Sequence, residues 1–447
     1  MTSHPLDPVD AAWFHMDGPV NTAVVTALVT SRRRFDIAAL RAILDDRLAA
    51  IERFRCRVVE RGLSYDSPCW EPMADFDIDQ HVHHRALPAQ ADESDLLDLV
   101  SDLASQSLPS TLPLWQAHVV DGPGERGAMV FRYHHCIGDG AAMVDVVRRV
   151  FDAPGDANTR RPAARRPPLQ EVALPLLQAA RTGIEALGAL ATDLLKSADP
   201  ASPFKGHFVA RQRVACSAGI PLVRLREIGA AFDARINAVA VAAVAGALRH
   251  YLVETGDFSA DASLRAMMPV SLRPLEHAHD GGNEFGLAIL DLPVELEKPE
   301  ARLRAARRRL DEVKRSSEAI GMRWLFDVFG RGPKTVQQVA QRLFGSKASL
   351  VLTNVAGPVQ PLSLAGRRID RIMFWVPHPG EDLGLGVSVF SYRGKLSLGV
   401  IGDAARVPDP QRIAQLFEHE VAALLRRARA MAENETARTA GAHRHGA

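Results

Sequence analysis

Apolar and polar positions along the chain switch between two periods, and the order of the switches sketches its layers. AVVTALV at 23–29 is a continuous apolar run of strand length. IAALRAILDDRLAAIERF at 37–54 places apolar residues three and four apart, the spacing of an amphipathic helix. Further on, AMVFRY predicts a strand, HHCIGDG a turn, and the residues after it a helix with Val144, Val147 and Val150 on one face. Gly127 to Val150 therefore reads as a strand-turn-helix unit.

The character changes between Pro154 and Pro203. GDANTRRPAARRPPLQ is rich in Pro and Arg, and PLLQAARTGIEALGALATDLLK is helical and largely apolar, so this stretch reads as a connection between domains. Its arginines, Arg160, Arg161, Arg165 and Arg166, leave two readings open, a solvated linker or a contact to anionic headgroups or a CoA phosphate. The second half alternates again: a helix at 236–253, a strand at LRAMMPVSL, a charged helix in RLRAARRRLDEVKRSSEAIG, then strands at LVLTNV, RIMFWV, LGVSVFSY and KLSLGVIG. A last helix at 410–430 precedes the polar tail ENETARTAGAHRHGA, for which disorder is expected. The expected division is a first domain at 1–155, a linker at 156–205, a second domain at 206–432 and a tail at 433–447. The fold class is α/β, and no repeat is visible.

Length supports two domains, since 447 residues exceed what a single core usually organises. A formal net charge of +1 gives no global attraction to nucleic acid, and none is expected as a partner. Cys56, Cys69, Cys136 and Cys216 form no CxxC pair, which argues against a disulfide framework or a zinc knuckle and for a reducing compartment. The amino terminus has Asp7 and Asp10 and no Lys or Arg ahead of its first apolar run, unlike a secretory signal, so a cytoplasmic location is expected. The longest small-apolar run, Ala238 to Leu248, falls short of the roughly 20 residues that span a bilayer.

Chemistry concentrates in FRYHHCIGDG at 131–140. Adjacent side chains on a strand face opposite ways, so His134 and His135 do not share one site unless the strand has ended, and no third ligand at metal-binding spacing lies nearby. A metal site is not expected. One histidine facing a cleft serves as a general base, because an imidazole of ordinary pKa near 6.5 is neutral at pH 7 and accepts a proton from an alcohol or amine. Asp139 then holds the local geometry, and Gly140 leaves room where the next helix starts. HVHHRAL at 81–87 has the same adjacent pair without Asp-Gly and is expected at the surface.

HHCIGDG matches the HHxxxDG signature of the CoA-dependent acyltransferase superfamily, and further segments narrow the resemblance. PLDPVDAAWFHMDGP near the start, PLWQAHVVDG, INAVAVAAVAGALRHYL, MMPVSLRP, GGNEFG, TNVAGPVQPLSLAG and SYRGKLSLGVIGD resemble, in order, the bacterial wax ester synthase/diacylglycerol acyltransferase (WS/DGAT) family. The resemblance covers about residues 5–430. It implies two chloramphenicol-acetyltransferase-like domains, each a mixed sheet flanked by helices, with an active-site tunnel at their interface. It also implies transfer of a long-chain acyl group from acyl-CoA, a co-substrate, to a fatty alcohol or diacylglycerol. No cofactor is implied, and contact with a membrane or lipid droplet is expected from the substrates.

By the same resemblance His135 is the base, His134 is mainly structural and Asp139 orients the motif. Where the family has Asn-Asp this chain has Asn237-Ala238, so Asn237 is retained and the acid is absent. Asn237 either offers its amide to an oxyanion or substrate oxygen, or caps the Ala-rich helix. Trp115 is a core residue beneath the site or part of its lining. Arg273 is the expected partner of Asp139, because a buried carboxylate needs a cation or several hydrogen bonds. Asn354 lies in a turn with a chance of touching substrate. Gly384 and Gly386 either shape a lipid tunnel or mark a bulge. Other acyl transfers on the same signature, a condensation or tailoring enzyme, and a weakly active lipid-binding paralogue remain as alternatives.

Overall fold

In the computed structural model of the chain the described residues are 3–18, 22–60, 67–153, 202–259, 263–271, 285–315, 345–378 and 383–444, with Val20, Asp199 and Asn283. The expected linker arginines and Arg273 lie outside the described residues.

The first half supplies β1 (His4–Pro5), β2 (Val24–Ser31), β3 (Cys56–Val59), β4 (Cys69–Pro72), β5 (Val82–Ala86), β6 (Trp115–Asp121) and β7 (Gly127–His134). The second supplies β8 (Gln212–Cys216), β9 (Ile220–Pro221), β10 (Leu264–Ser271), β11 (Phe285–Leu292), β12 (Leu350–Ala356), β13 (Ser363–Leu364), β14 (Arg367–Trp375), β15 (Leu385–Tyr392) and β16 (Lys395–Asp403). A six-stranded mixed sheet runs in the order β13-β14-β2-β7-β6-β5, and a seven-stranded one runs β11-β10-β12-β15-β16-β8, with β9 beside β16. Strands β1, β4 and β3 form a small third sheet.

Two strands of the first sheet therefore come from the second half of the chain. Strand β14 pairs antiparallel with β2, Trp375 opposite Thr26 and Ile372 opposite Val29. This corrects the expected boundary, because RIMFWV carries the β-branched and aromatic residues of a strand but nothing that names its partner. The first core accordingly mixes Leu28, Trp115 and Val130 with Ile369, Met373 and Trp375, all buried. The second packs the helix Ile236–Thr255 against the helices Pro299–Arg315 and Pro410–Arg444, which with it cover the second sheet.

Among the described residues one helix, Ile236–Thr255, is long and apolar enough to cross a membrane, and 72% of its most apolar stretch is buried inside the protein. Apolarity all round is what an interior helix needs. The predicted helix at 37–54 is a helix over Ile37–Ile43 that loosens into a wider turn at Leu44–Leu48 and closes with a short tight turn at Glu52–Phe54. The last helix continues to Arg444, through the segment expected to be disordered. Once a helix is nucleated each added residue costs little, and alanines at 432, 437, 440 and 442 favour its continuation.

The two halves are pinned to each other by polar contacts. From the helix Glu93–Ala104, Ser101 Oγ accepts from the Val214 N–H at 3.0 Å, and Ser105 Oγ, at that helix's C-cap, accepts from the Gln212 N–H at 2.8 Å. Arg371 on β14 pairs with Glu93 at 2.6 Å. These contacts carry polar order across an otherwise apolar seam.

Candidate active site

Strand β7 ends at His134, and the next three residues, His135–Ile137, form one tight helical turn. The histidines thereby part company. His134 is buried, and its Nδ1 accepts from the Cys136 N–H at 3.1 Å, so its ring caps the turn. The ring of His135 stacks on Trp13 with centroids 3.9 Å apart and planes 12° from parallel, and Phe285 meets it edge-on at 5.9 Å. No group of three or more metal-ligating side chains gathers among the described residues.

His135 lies deep but keeps part of its surface accessible. Its Nδ1 is buried without a hydrogen-bond partner. Burial lowers its pKa to about 4, against the opposing pull of Asp139 and Asn283. His134, buried beside it, is lowered to about 3. Both rings are neutral at pH 7. The Cys136 thiol is pushed well up by burial and is no nucleophile.

Asp139 caps the helix Gly140–Val150, accepting from the Ala142 N–H at 2.9 Å. Its charge acts on the His135 ring and on Tyr133, whose hydroxyl burial holds far above the usual phenol range. Gly140 opens that helix, and a Cβ there would sit 3.1 Å from Val355 Cγ2 on β12, so glycine lets the second sheet close on the motif.

The backbone of the turn is fixed by residues that no local pattern marks as functional. Asn283 Nδ2 donates to the His135 carbonyl at 2.8 Å, and Arg53 Nη1 donates to the Cys136 and Ile137 carbonyls at 3.1 Å each. Asp10, fully buried, accepts from both, from Asn283 at 2.8 Å and from Arg53 at 2.7 Å. Burial raises the Asp10 pKa, and Arg53 with Asn283 pulls against that rise. Asp10 and Trp13 lie in PLDPVDAAWFHMDGP and Asn283 in GGNEFG, segments whose meeting no local pattern encodes.

An apolar slot of about 110 Å³ reaches the motif between Tyr133 and Gly140. It runs between the first sheet and the helix Gly140–Val150, past Val25, Phe131, Val147 and Phe374, and the second sheet closes it with Val355 and Phe390. No charged side chain lines it.

The remaining expected site residues fall as follows. Asn354 lies within β12, not in the turn expected after it, and its Nδ2 donates to Asn237 Oδ1 at 2.8 Å. The capping reading of Asn237 is corrected: the N-cap is Arg235, and Asn237 lies one residue inside the first turn. Ala238 is buried in the second core, so an acid there would enter an apolar interior. Trp115 is fully buried, donates Nε1 to the Phe54 carbonyl at 2.9 Å and stacks on His81 at 4.4 Å, which makes it core. Gly384 and Gly386 yield to the protein's own backbone: a Cβ would come within 2.4 Å of the Phe204 carbonyl oxygen at the first and 2.8 Å of the Val376 carbonyl oxygen at the second. HVHHRAL is only partly at the surface, since His81 is buried and His83 stacks on His118 at 4.9 Å.

A neutral imidazole in a tight turn after a sheet strand, a capping aspartate and an apolar slot under the helix that follows, closed by the second sheet, fit a two-domain acyltransferase of the HHxxxDG type. Two family models then place it: the wax ester synthase/diacylglycerol acyltransferase catalytic domain matches residues 6–240 and the WS/DGAT C-terminal domain residues 281–425. The chain belongs to the WS/DGAT family. It is 28% identical over 431 residues to the probable diacylglycerol O-acyltransferase tgs1 of Mycobacterium tuberculosis, covering 92% of each chain. It is 30% identical over 373 residues to tgs2 of the same species, covering 78% of this chain and 82% of that one. The fold is similar to that of the wax ester synthase/diacylglycerol acyltransferase from Marinobacter aquaeolei VT8, with a TM-score of 0.70, 21% identity and coverage of 96% and 100%. It is also similar to a starter condensation domain of rhizomide synthetase solved with C8-CoA, with a TM-score of 0.61, 14% identity and coverage of 96% and 95%.

Proposed function

We propose that this acyltransferase moves a long-chain acyl group from acyl-CoA to a diacylglycerol or fatty alcohol by direct attack, giving triacylglycerol or wax ester, with His135 as general base and no cofactor. The observation that carries the reading is a neutral, half-buried His135 in a turn whose neighbours Tyr133 and Gly140 line an apolar slot. Membership in the WS/DGAT family supports the acceptor class, and the mycobacterial relatives named as diacylglycerol O-acyltransferases favour the glyceride.

Nε2 of His135 takes the hydroxyl proton as the oxygen bonds to the thioester carbon. The tetrahedral oxyanion collapses, the carbon–sulfur bond breaks, and the imidazolium returns its proton to the departing CoA thiolate. A base of pKa about 4 is always unprotonated near neutrality, and the Asp139 charge favours the imidazolium that forms in the transition state. Asn237, its Oδ1 held by Asn354, keeps its amide NH₂ for a substrate oxygen. Because the acceptors are insoluble, the reaction belongs at a cytoplasmic membrane face or lipid droplet surface.

Purified protein is incubated with palmitoyl-CoA and either hexadecanol or diacylglycerol, and thiol release is followed. Release above the His135→Ala background with one acceptor assigns it; release with neither refutes the reading for both.

A further inference from the structure

The turn that carries His135 ends in carbonyls that no longer helix continues to satisfy, and such groups need donors from elsewhere. Three consecutive ones are met by side chains from two remote segments. Asn283 takes the His135 carbonyl, and Arg53 takes those of Cys136 and Ile137. Asp10 ties the two donors into one unit, one carboxylate oxygen on each. Arg53 is held from its other side by the ring of Trp70, 5.4 Å from its guanidinium carbon.

Asp10 and Trp13 stand three residues apart on the helix Pro8–Met16, which puts them on the same face. That one face sets both the peptide of His135, through Asp10, and its ring, through stacking on Trp13. Asn283 precedes β11 of the second sheet, so its amide brings the second domain to the turn. An ion pair serving stability alone would need only Asp10 and Arg53; here both donors that Asp10 holds also reach backbone carbonyls of the turn that bears the base.

We propose that Asp10, Arg53 and Asn283 are positioning residues that make the aim of His135 depend on the second domain being docked. Asn283 is the coupling element: withdrawing it removes the donors of His135 O and Asp10 Oδ1 together. Placing the base wrongly by about 1 Å costs on the order of a hundredfold in rate, while substrate binding elsewhere is untouched.

The proposal rests on acyl transfer by His135, so its test has one readout that needs turnover and one that does not. In the full chain, Asn283→Ala is expected to lower kcat with palmitoyl-CoA at least tenfold and leave KM within twofold. Asn283→Ser, which keeps one donor, falls between it and wild type, and Arg53→Lys, which keeps the charge but not the fork, falls at least threefold. Without substrate, the Cε1–H cross-peak of His135 in histidine-labelled protein, assigned by its loss in His135→Ala, shifts in each variant. A kcat within twofold of wild type in Asn283→Ala, or an unmoved cross-peak, overturns the proposal. If Asn283→Ala does not fold, Asn283→Ser and Arg53→Lys decide by the same two measures. If wild type releases no CoA, the functional reading fails, and the cross-peak alone still decides the positioning.

Discussion

Trp13 lies flat against His135, 3.9 Å between ring centroids and 12° from parallel. The indole covers one face of the base, excludes water from it and fixes its tilt. Burial is the largest cause of the low His135 pKa, so removing that cover should let the pKa rise toward 6.5. In Trp13→Leu the acid limb of kcat/KM is expected to move from near pH 4 to above pH 5, with kcat several-fold lower. In Trp13→Phe the limb stays closer to its place. A pH–rate profile of the two variants against wild type checks this.

The two histidines should fail differently. His135→Ala removes the base and is expected to lower kcat by about 10² to 10⁴ with little change in melting temperature. His134→Ala removes the acceptor of the Cys136 N–H from a buried position, and about 1 to 3 kcal/mol of stability should go with it. Parallel thermal melts and thiol-release assays separate the two.

Asp139 has a capping role and a charge role. Asn caps helices nearly as well as Asp, so Asp139→Asn should keep the melting temperature within a few degrees while the lost charge lowers kcat about tenfold or more. Asp139→Ala should also lose about 1 kcal/mol of stability. Equal activity in Asp139→Asn and wild type would show that the charge does not serve His135.

The slot makes a prediction about chain length. Val147 lines it opposite the sheet, so Val147→Trp should obstruct a long chain more than a short one. The ratio of palmitoyl-CoA to octanoyl-CoA turnover is expected to fall at least tenfold. Competition between the two thioesters in one assay measures that ratio directly.

Acid should unfold the protein by charging buried imidazoles. His118 and His134 are lowered to about 3 and His378 to about 4, each chiefly by burial. Their folded pKa values lie below the unfolded value near 6.5, so the unfolded chain binds more protons and stability falls as pH drops from about 6.5 toward 4. Each group adds about 1.4 kcal/mol per pH unit to that slope. Urea melts at pH 7, 5.5 and 4.5 should show the loss, and a flat response would mean the three rings are not buried neutral.

Sequence reading succeeded where the cause was local. The strand, turn and helix between Gly127 and Val150 follow from hydrophobic periodicity and turn chemistry within one contiguous stretch. It failed where the cause was a distant meeting. Asp10 and Asn283 stand 273 positions apart, and nothing in either segment states that one carboxylate will join a hairpin residue to the catalytic turn. Gly384 and Gly386 were legible as close approaches, but a missing side chain does not say what approaches, and here it is protein backbone. His81 was judged by its polar neighbours, whereas its Nδ1 bond to the Trp115 carbonyl at 2.8 Å is what lets an imidazole be buried.

Because β13 and β14 are drawn from residues 363–375, the two halves of the chain are not independent folding units. A fragment ending anywhere before Ser363 would leave β2 with an open hydrogen-bonding edge from Thr26 to Ser31. Such an edge pairs readily with other chains. Synthesis must therefore pass Trp375 before the first sheet can be completed, which makes the first half a poor target for expression by itself.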